Sequence, residues 1–536
     1  MSAGSVASTA ATSPGELLER QADRLRERPF LRCGEGQWVS YAELDERSTR
    51  TACGLRQLGV SPGDRVAILA ANSVEFAECI FACSKAGAVQ VPINSYLRGS
   101  FLQHQLLDSG ARVAITDGEG RSTLEGLGDA TRIEKIVVID QDAGDGTGDV
   151  TLSQLRETNG PLPSLEPTPA DLAAIMYTSG TTGPAKGCML PNGMFIDPAA
   201  VYATAGFIVP GDRVLTPSPM FHMGFQGGML MTALANDASL CLLEQFSASR
   251  FMPLARAIGA TVIFGVGAAA VAILRQPRQA EDAAGRLRCA IWVPLPGDQA
   301  DEFEDRFAVP TIAEAYGQTE AITIALAAVD EDRQRQCAGS PNDLTEVAIL
   351  DDQDRQVGAG EVGEVAVRPR RPNVMYTGYW NQPDASVAAI SNLWHHTGDL
   401  GRLDDAGRLW ITDRKADSLR RRGENVSSSE LEEAMRRYPA VEDVAVVGVP
   451  SAMSEQDIKA CIHLSPGQRL APGELFGFFR SELPYFAIPR YVEFVEELPV
   501  NAVGRVRKDI LRQMPLAADA WDFEEMGYAV SRSERR

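Results

Sequence analysis

Positive charge is scarce in this chain. Lysine and arginine together number 51 against 72 aspartates and glutamates, a formal net charge of −21. That balance argues against a dedicated nucleic-acid binder, whose surface has to neutralise phosphates. It also argues against docking on an anionic membrane. Histidine is scarcer still, five in 536 residues, so a histidine-rich metal site is not expected. The nine cysteines are an odd number without dense spacing, which excludes a secreted disulfide framework. Cys79 and Cys83 stand four apart, as zinc ligands can, but in the apolar helical stretch SVEFAECIFACSKAGA with no second Cys/His pair nearby; buried thiols are expected. No run of about 18 uninterrupted apolar residues exists to span a bilayer. The leading MSAGSVASTAATSPGE has neither the basic nor the apolar region of a signal peptide. The expectation is a cytoplasmic protein with residues 1–12 disordered.

What is present is ordinary globular composition, 44% hydrophobic and 23% charged. The length allows several domain-sized units, each able to bury a core without a disulfide or metal. Ser13-Pro14-Gly15-Glu16 reads as a capping box opening a helix. Apolar runs at 64–70, 89–93, 113–115, 136–139, 261–264 and 289–293 alternate with helical patterns, one of them ending at about Ala86 before Gly87. Parallel strands with crossover helices follow. After about residue 340, short alternating runs between Gly and Asp read as hairpins. Beyond Asp413, Ser429-Glu430-Leu431-Glu432 reads as a second capping box, within a compact α+β unit of strands and helices.

The strongest local signal is Met176-Tyr-Thr-Ser-Gly-Thr-Thr-Gly-Pro-Ala-Lys-Gly187. The hydroxyls of Thr178, Ser179, Thr181 and Thr182 interleave with Gly180 and Gly183, and Lys186 follows. Small residues let backbone N–H groups approach a polyphosphate, hydroxyls add donors, and the lysine adds charge. A Walker A loop is excluded, because the fifth residue after Gly180 is Ala185 where that motif requires glycine.

TSGTTGPAKG resembles the signature loop of the adenylate-forming superfamily, which includes acyl-CoA synthetases, luciferase and nonribosomal adenylation domains. The resemblance runs from about Ser40 to Arg512. RRRGENVSSSELE and LPYFAIPRYVEFVEELP look most like the bacterial carnitine/crotonobetaine-CoA ligase branch. It implies an α/β fold: a large N-terminal domain, residues 13–414, of parallel α/β sheets plus a small β subdomain, and a small mobile α+β C-terminal domain, residues 415–536. It implies ATP, Mg²⁺ and CoA as cofactors. An acid attacks the α-phosphate of ATP, pyrophosphate leaves, the C-terminal domain rotates, and a thiol takes the acyl group.

The resemblance extends to further motifs. In Ala315-Tyr316-Gly317-Gln318-Thr319-Glu320, it implies that Tyr316 stacks on adenine, Thr319 contacts the α-phosphate and Glu320 holds Mg²⁺, for which a hard oxygen ligand is suitable. In His396-Thr397-Gly398-Asp399, Asp399 is implied to bind the ribose hydroxyls, with Arg414 reaching the same region. His222 matches a position between the acid pocket and the approach of the thiol; a lone His in an apolar stretch also reads as a satisfied core residue. Arg420-Arg421-Arg422 lies on the loop implied to enter the site after rotation, and reads equally as a receptor for CoA phosphates or as a solvated charge run.

Three departures from the family pattern stand out. Arg505 takes the place of the adenylation lysine, with Lys508 as the alternative carrier of that charge. Ala416 occupies the hinge position. Ile291-Trp292 aligns with the glycine pair of the family's acid-pocket loop, so a pocket shrunk to small or flat, including aromatic, acids is expected. The reading is an ATP-dependent, AMP-forming ligase joining such an acid to a thiol, most simply CoA. Two alternatives are a nitrite-activating diazotase acting on an aryl amine in natural-product biosynthesis without CoA, and a nucleotide-binding pseudoenzyme. Monomer and homo-oligomer both remain open.

Overall fold

The computed structural model describes residues 11–139, 149–158, 160, 162, 164–178, 184–331, 333–335, 337–414, 418–451, 455–499 and 506–530. They form an α/β structure with a large N-terminal and a smaller C-terminal domain. Ala11 is buried, and the backbone N–H and hydroxyl of Thr12 both donate to the Glu16 carboxylate. Glu16 therefore reaches one residue beyond the cap, while Ser13 Oγ accepts from Glu16 N–H to start the helix Pro14–Leu25.

Two seven-stranded sheets carry the N-terminal domain. The first has the spatial order 150–151, 135–138, 113–116, 65–69, 89–92, 172–178, 186–191. The second runs 311–312, 289–292, 262–265, 213–216, 239–242, 29–33, 39–40. Neighbours are parallel in both, except the last pair of each, which is antiparallel. Parallel neighbours need crossovers, and helices supply them. One is Val74–Ala86, capped by Ser73 Oγ and ended by Gly87 at φ 71°.

Side-chain alternation sorts the strand residues between two faces. Val66 and Ile68 enter the largest core, which also draws on the second sheet through Val214, Leu240 and Ile291. Ala67 and Leu69 face the other way, into a core that includes Leu431, Phe476 and Phe479 of the C-terminal domain. Cys79 and Cys83 are fully buried, and burial pushes the Cys83 thiol up to about 12. All nine cysteines are free.

The hairpins expected after residue 340 form an antiparallel sheet of 345–350, 363–369, 394–403, 390–391 and 409–414. The C-terminal domain comprises the hairpin 418–421/424–427, the helix Ser428–Arg436, the helix Pro472–Glu482 and a sheet in the order 441–450, 456–464, 491–494, 521–522. The second capping box is displaced from its expected place. Ser427 is the cap, its Oγ accepting from Glu430 N–H, so the Ser-x-x-Glu pair is Ser427 and Glu430. No helix among the described residues is long and apolar enough to cross a membrane.

Candidate active site

The glycine- and hydroxyl-rich segment links two antiparallel strands at the edge of the first sheet. Leu172–Thr178 pairs with Lys186–Pro191, and Thr178 stands opposite Lys186. Ser179, Gly180, Thr181, Thr182 and Gly183 lie outside the described residues. Thr178 is half-buried, its hydroxyl 3.9 Å from Cys188 Sγ. Lys186 is half-buried with Nζ 5.0 Å from the centre of the Tyr379 ring, a cation–π distance.

Tyr379 connects that lysine to Glu320. Its phenol donates to Glu320 Oε1 at 2.8 Å, and burial together with that carboxylate pushes the phenol well up. The backbone secures the same junction. Tyr376 N–H donates to Glu320 C=O at 2.9 Å, and Trp380 N–H to Gly187 C=O at 2.8 Å. Glu320 and Thr319 are half-buried. Among the described residues no group of three or more His, Cys, Asp or Glu side chains could cage a metal. A lone half-buried carboxylate fits an ion that keeps waters and phosphate oxygens in its shell, as Mg²⁺ does.

Four residues upstream, the Tyr316 phenol donates to Asp399 Oδ2 at 2.6 Å. Gln318 Nε2 donates to the same oxygen at 2.8 Å and to Thr397 C=O at 2.9 Å. Asp399 is buried, so its carboxylate is held in one orientation. Gly317 is required here by close approach, since an added Cβ would lie 2.7 Å from Thr323 N. Arg414 is in backbone register with Asp399 on the neighbouring strand.

His222 is not a satisfied core residue. Its side chain is 45% exposed and its Nε2 lies 3.1 Å from Glu424 Oε1 of the C-terminal domain. Glu424 follows a tight hairpin in which Arg422 and Gly423 both have positive φ, 56° and 85°. The arginine triplet is neither free nor simply solvated. Arg420 lies 3.5 Å from Glu455, the buried Arg421 3.4 Å from Asp457, and Arg422 3.1 Å from Glu524. Burial depresses the Arg421 guanidinium to about 10.

Two expectations need correction. Lys508 is committed to its own domain, with Nζ 2.7 Å from both Glu432 Oε1 and Ser428 Oγ. It ties the helix Lys508–Gln513 to the helix Ser428–Arg436 and so is poorly placed to serve phosphates. Arg505 and Ala416 lie outside the described residues.

The second correction concerns Ile291 and Trp292. Both are fully buried within the strand Cys289–Trp292. Adjacent strand residues point to opposite faces, so Ile291 packs between the two sheets while Trp292 packs against Phe251 and Phe303. They cannot jointly wall one pocket. The next residues, half-buried Val293 and exposed Pro294, emerge at the end of the strand.

The sequence motifs missed Tyr379, Gln318, Glu424 and Glu430. The aromatic-rich MYTGYW stretch was the available signal for Tyr379; Glu424 had none beyond following the loop expected to enter the site, and Glu430 none beyond its place in the expected capping box.

Comparisons with known proteins agree with this fold. Residues 18–380 match the AMP-binding enzyme family, and residues 430–505 the AMP-binding enzyme C-terminal domain. A feruloyl-CoA synthase from Amycolatopsis sp is 32% identical over 482 residues, 89% of this chain and 94% of that protein. A crotonobetaine/carnitine–CoA ligase of Salmonella typhimurium is 32% identical over 485 residues, 88% of this chain and 93% of that one. A variant of o-succinylbenzoate CoA synthetase from Bacillus subtilis, bound with its product analogue, superposes with a TM-score of 0.80 at 25% identity, covering 93% of this chain and 98% of that one.

Proposed function

The chain belongs to the AMP-binding enzyme family and is an AMP-forming ligase, and from that premise we propose that it adenylates a compact acid, aromatic acids of the feruloyl type first, and transfers the acyl group to CoA. The observation that carries the nucleotide half is the convergence of distant motifs. Lys186 reaches Glu320 through Tyr379, and Tyr316, four residues from Glu320, is bonded to Asp399.

In this reading Asp399, oriented by Tyr316 and Gln318, receives the ribose hydroxyls. The Tyr316 ring offers a flat face to adenine. Lys186 meets phosphate charge as a point cation. Glu320 would hold Mg²⁺, which when bound neutralises phosphate charge. The acid's carboxylate oxygen attacks the α-phosphorus and the bond to pyrophosphate breaks. The thiol sulfur then attacks the acyl carbon and AMP leaves. The protein's contribution is positional and electrostatic.

The thiol half is supported by the likeness to a relative bound with its CoA product analogue and by Glu424 reaching His222 from the C-terminal domain. The side-chain bulk at Ile291 and Trp292 that suited nitrite is in the core, so it no longer favours a diazotase.

A panel of aromatic and short-chain acids, with nitrite plus an aryl amine as a further arm, tests this. AMP and pyrophosphate release with an aromatic or short acid, and thioester only when CoA is present, is the expected outcome. AMP release with nitrite alone, or no ATP–pyrophosphate exchange with any acid, would refute it.

A further inference from the structure

One residue beside the phosphate loop, Ala185, is held from both domains. Ala185 N–H donates to Glu430 Oε1 at 2.7 Å, and Ala185 C=O lies 2.8 Å from His104 Nε2 on the helix Gly99–Ser109. Ala185 is buried. Glu430 is the residue whose N–H is taken by the cap Ser427. In a capping box its carboxylate would turn back to the cap's own N–H. Here it reaches out to the residue just before a strand, 245 residues away in sequence.

The titratable and charged groups around Glu430 come from four elements. Glu433 lies on its own helix, and Glu432 on that helix is paired with Lys508. His104 lies across the Ala185 peptide, and Lys186 is next along the strand. Burial pushes the Glu430 carboxyl up to about 7, the Ala185 N–H opposes that, and Glu433 adds to it.

We propose that Glu430 is a positioning residue for the second half-reaction: by accepting the Ala185 N–H it seats the C-terminal domain on the strand leaving the phosphate loop, and so sets the rate of acyl transfer to the thiol. This rests on the ligase reading above. The same seating brings Glu424 to His222, and an added Cβ on Gly423 would meet Val266 Cγ2 at 3.3 Å. The contact exists because residue 185 is not proline, which would have no N–H to give.

The sign of the pH effect follows by linkage. Seated, the Glu430 carboxyl titrates at about 7, above its ordinary 4.5. The seated form therefore binds the proton more tightly. Seating is fully supported below pH 4.5 and weakens as the pH rises through about 7.

Hydrogen exchange on the substrate-free protein reads the contact directly. The Ala185 amide should exchange at least tenfold faster in E430A, and stay protected in E430Q, whose amide oxygen still accepts. With an acid identified from the panel, single-turnover transfer from adenylate to CoA should fall about tenfold in E430A and in A185P, the loss of roughly one hydrogen bond. ATP–pyrophosphate exchange in E430A should keep the native rate. The native-to-E430Q ratio of transfer rates, which cancels ionisation of the thiol, should fall between pH 6 and pH 8. Unchanged exchange of the Ala185 amide in E430A overturns the proposal. So does loss of pyrophosphate exchange in step with transfer, or a flat rate ratio. Should no acid be activated, the ligase reading fails, while amide exchange still decides whether Glu430 holds Ala185.

Discussion

Trp292 offers the sharpest quantitative test of the packing around the site. Its ring is fully buried between Phe251 and Phe303, with centroids 5.8 and 5.5 Å away. A tryptophan buries ~150–250 Å², which at ~25 cal/mol per Å² is about 4–6 kcal/mol as an upper bound. Trp292→Ala keeps Cβ, and large-to-small core changes of this kind cost about 3–5 kcal/mol. One term opposes the loss. Among the described residues, buried Trp292 Nε1 has no hydrogen-bond partner, and removing such an orphan donor returns ~1 kcal/mol. Trp292→Ala should therefore destabilise the N-terminal domain by about 2–4 kcal/mol, and Trp292→Phe by ~1 kcal/mol or less. Gly265 is the cross-strand partner of Trp292, and an added Cβ there would sit 2.6 Å from Trp292 Cζ3. Gly265→Ala should cost about 1–3 kcal/mol by overpacking. Combined with Trp292→Phe, its cost should shrink, since the smaller ring vacates that space; the two sites are in contact and couple. Urea unfolding followed by circular dichroism measures all four variants against the native protein, and the acid panel is repeated on the stable ones. A Trp292→Ala protein of native stability that accepts longer acids would show that the indole lines the acid pocket after all, and this account of the strand would be wrong.

Lys186→Ala and Glu320→Ala should each lower ATP–pyrophosphate exchange ~10²–10³-fold, because each removes charge set against the phosphates; near-native AMP release at saturating ATP would contradict the assignment. Tyr379→Phe removes the 2.8 Å bond to Glu320 and should raise the Mg²⁺ concentration for half-maximal rate by about tenfold, the loss of one charged hydrogen bond, with kcat recovering at high Mg²⁺. Asp399→Asn should raise the KM for ATP more than it lowers kcat, and an unchanged KM would count against ribose binding. Glu424→Ala frees His222 and should slow thioester formation while sparing adenylation, as half-reaction kinetics would show. Truncation after Asp413 should leave a folded domain with its main core intact that binds ATP by calorimetry but scarcely turns over. It should aggregate more readily, since Tyr96 loses the Tyr485 ring 4.9 Å away.

Much of this was readable in one dimension because it depends on local spacing. Apolar runs bounded by Gly and Ser marked the strands at 89–92 and 113–116 and the helix 74–86, since alternation and capping act over a few residues. The loop around Thr178 to Lys186, the Tyr316–Glu320 motif and Asp399 were legible for a related reason. Binding a nucleotide restricts which residue types can stand together on a short segment.

The failures have a common cause. Ile291 and Trp292 are neighbours in sequence, yet a strand sends them to opposite faces, and only the packed sheet reveals that each is already enclosed. Lys508 had the right charge, but its partners Glu432 and Ser428 lie some eighty residues back and became its neighbours only when two helices met. Composition and motif order by themselves determined the fold class and the family likeness, and singled out most of the side chains proposed to bind the nucleotide. Tertiary structure alone decided which charges are engaged, which bulky residues are core, and that Glu424 and Glu430 reach across to His222 and Ala185. Hydrogen bonding and burial depend on distances of a few ångströms between segments hundreds of residues apart, and no local spacing encodes those.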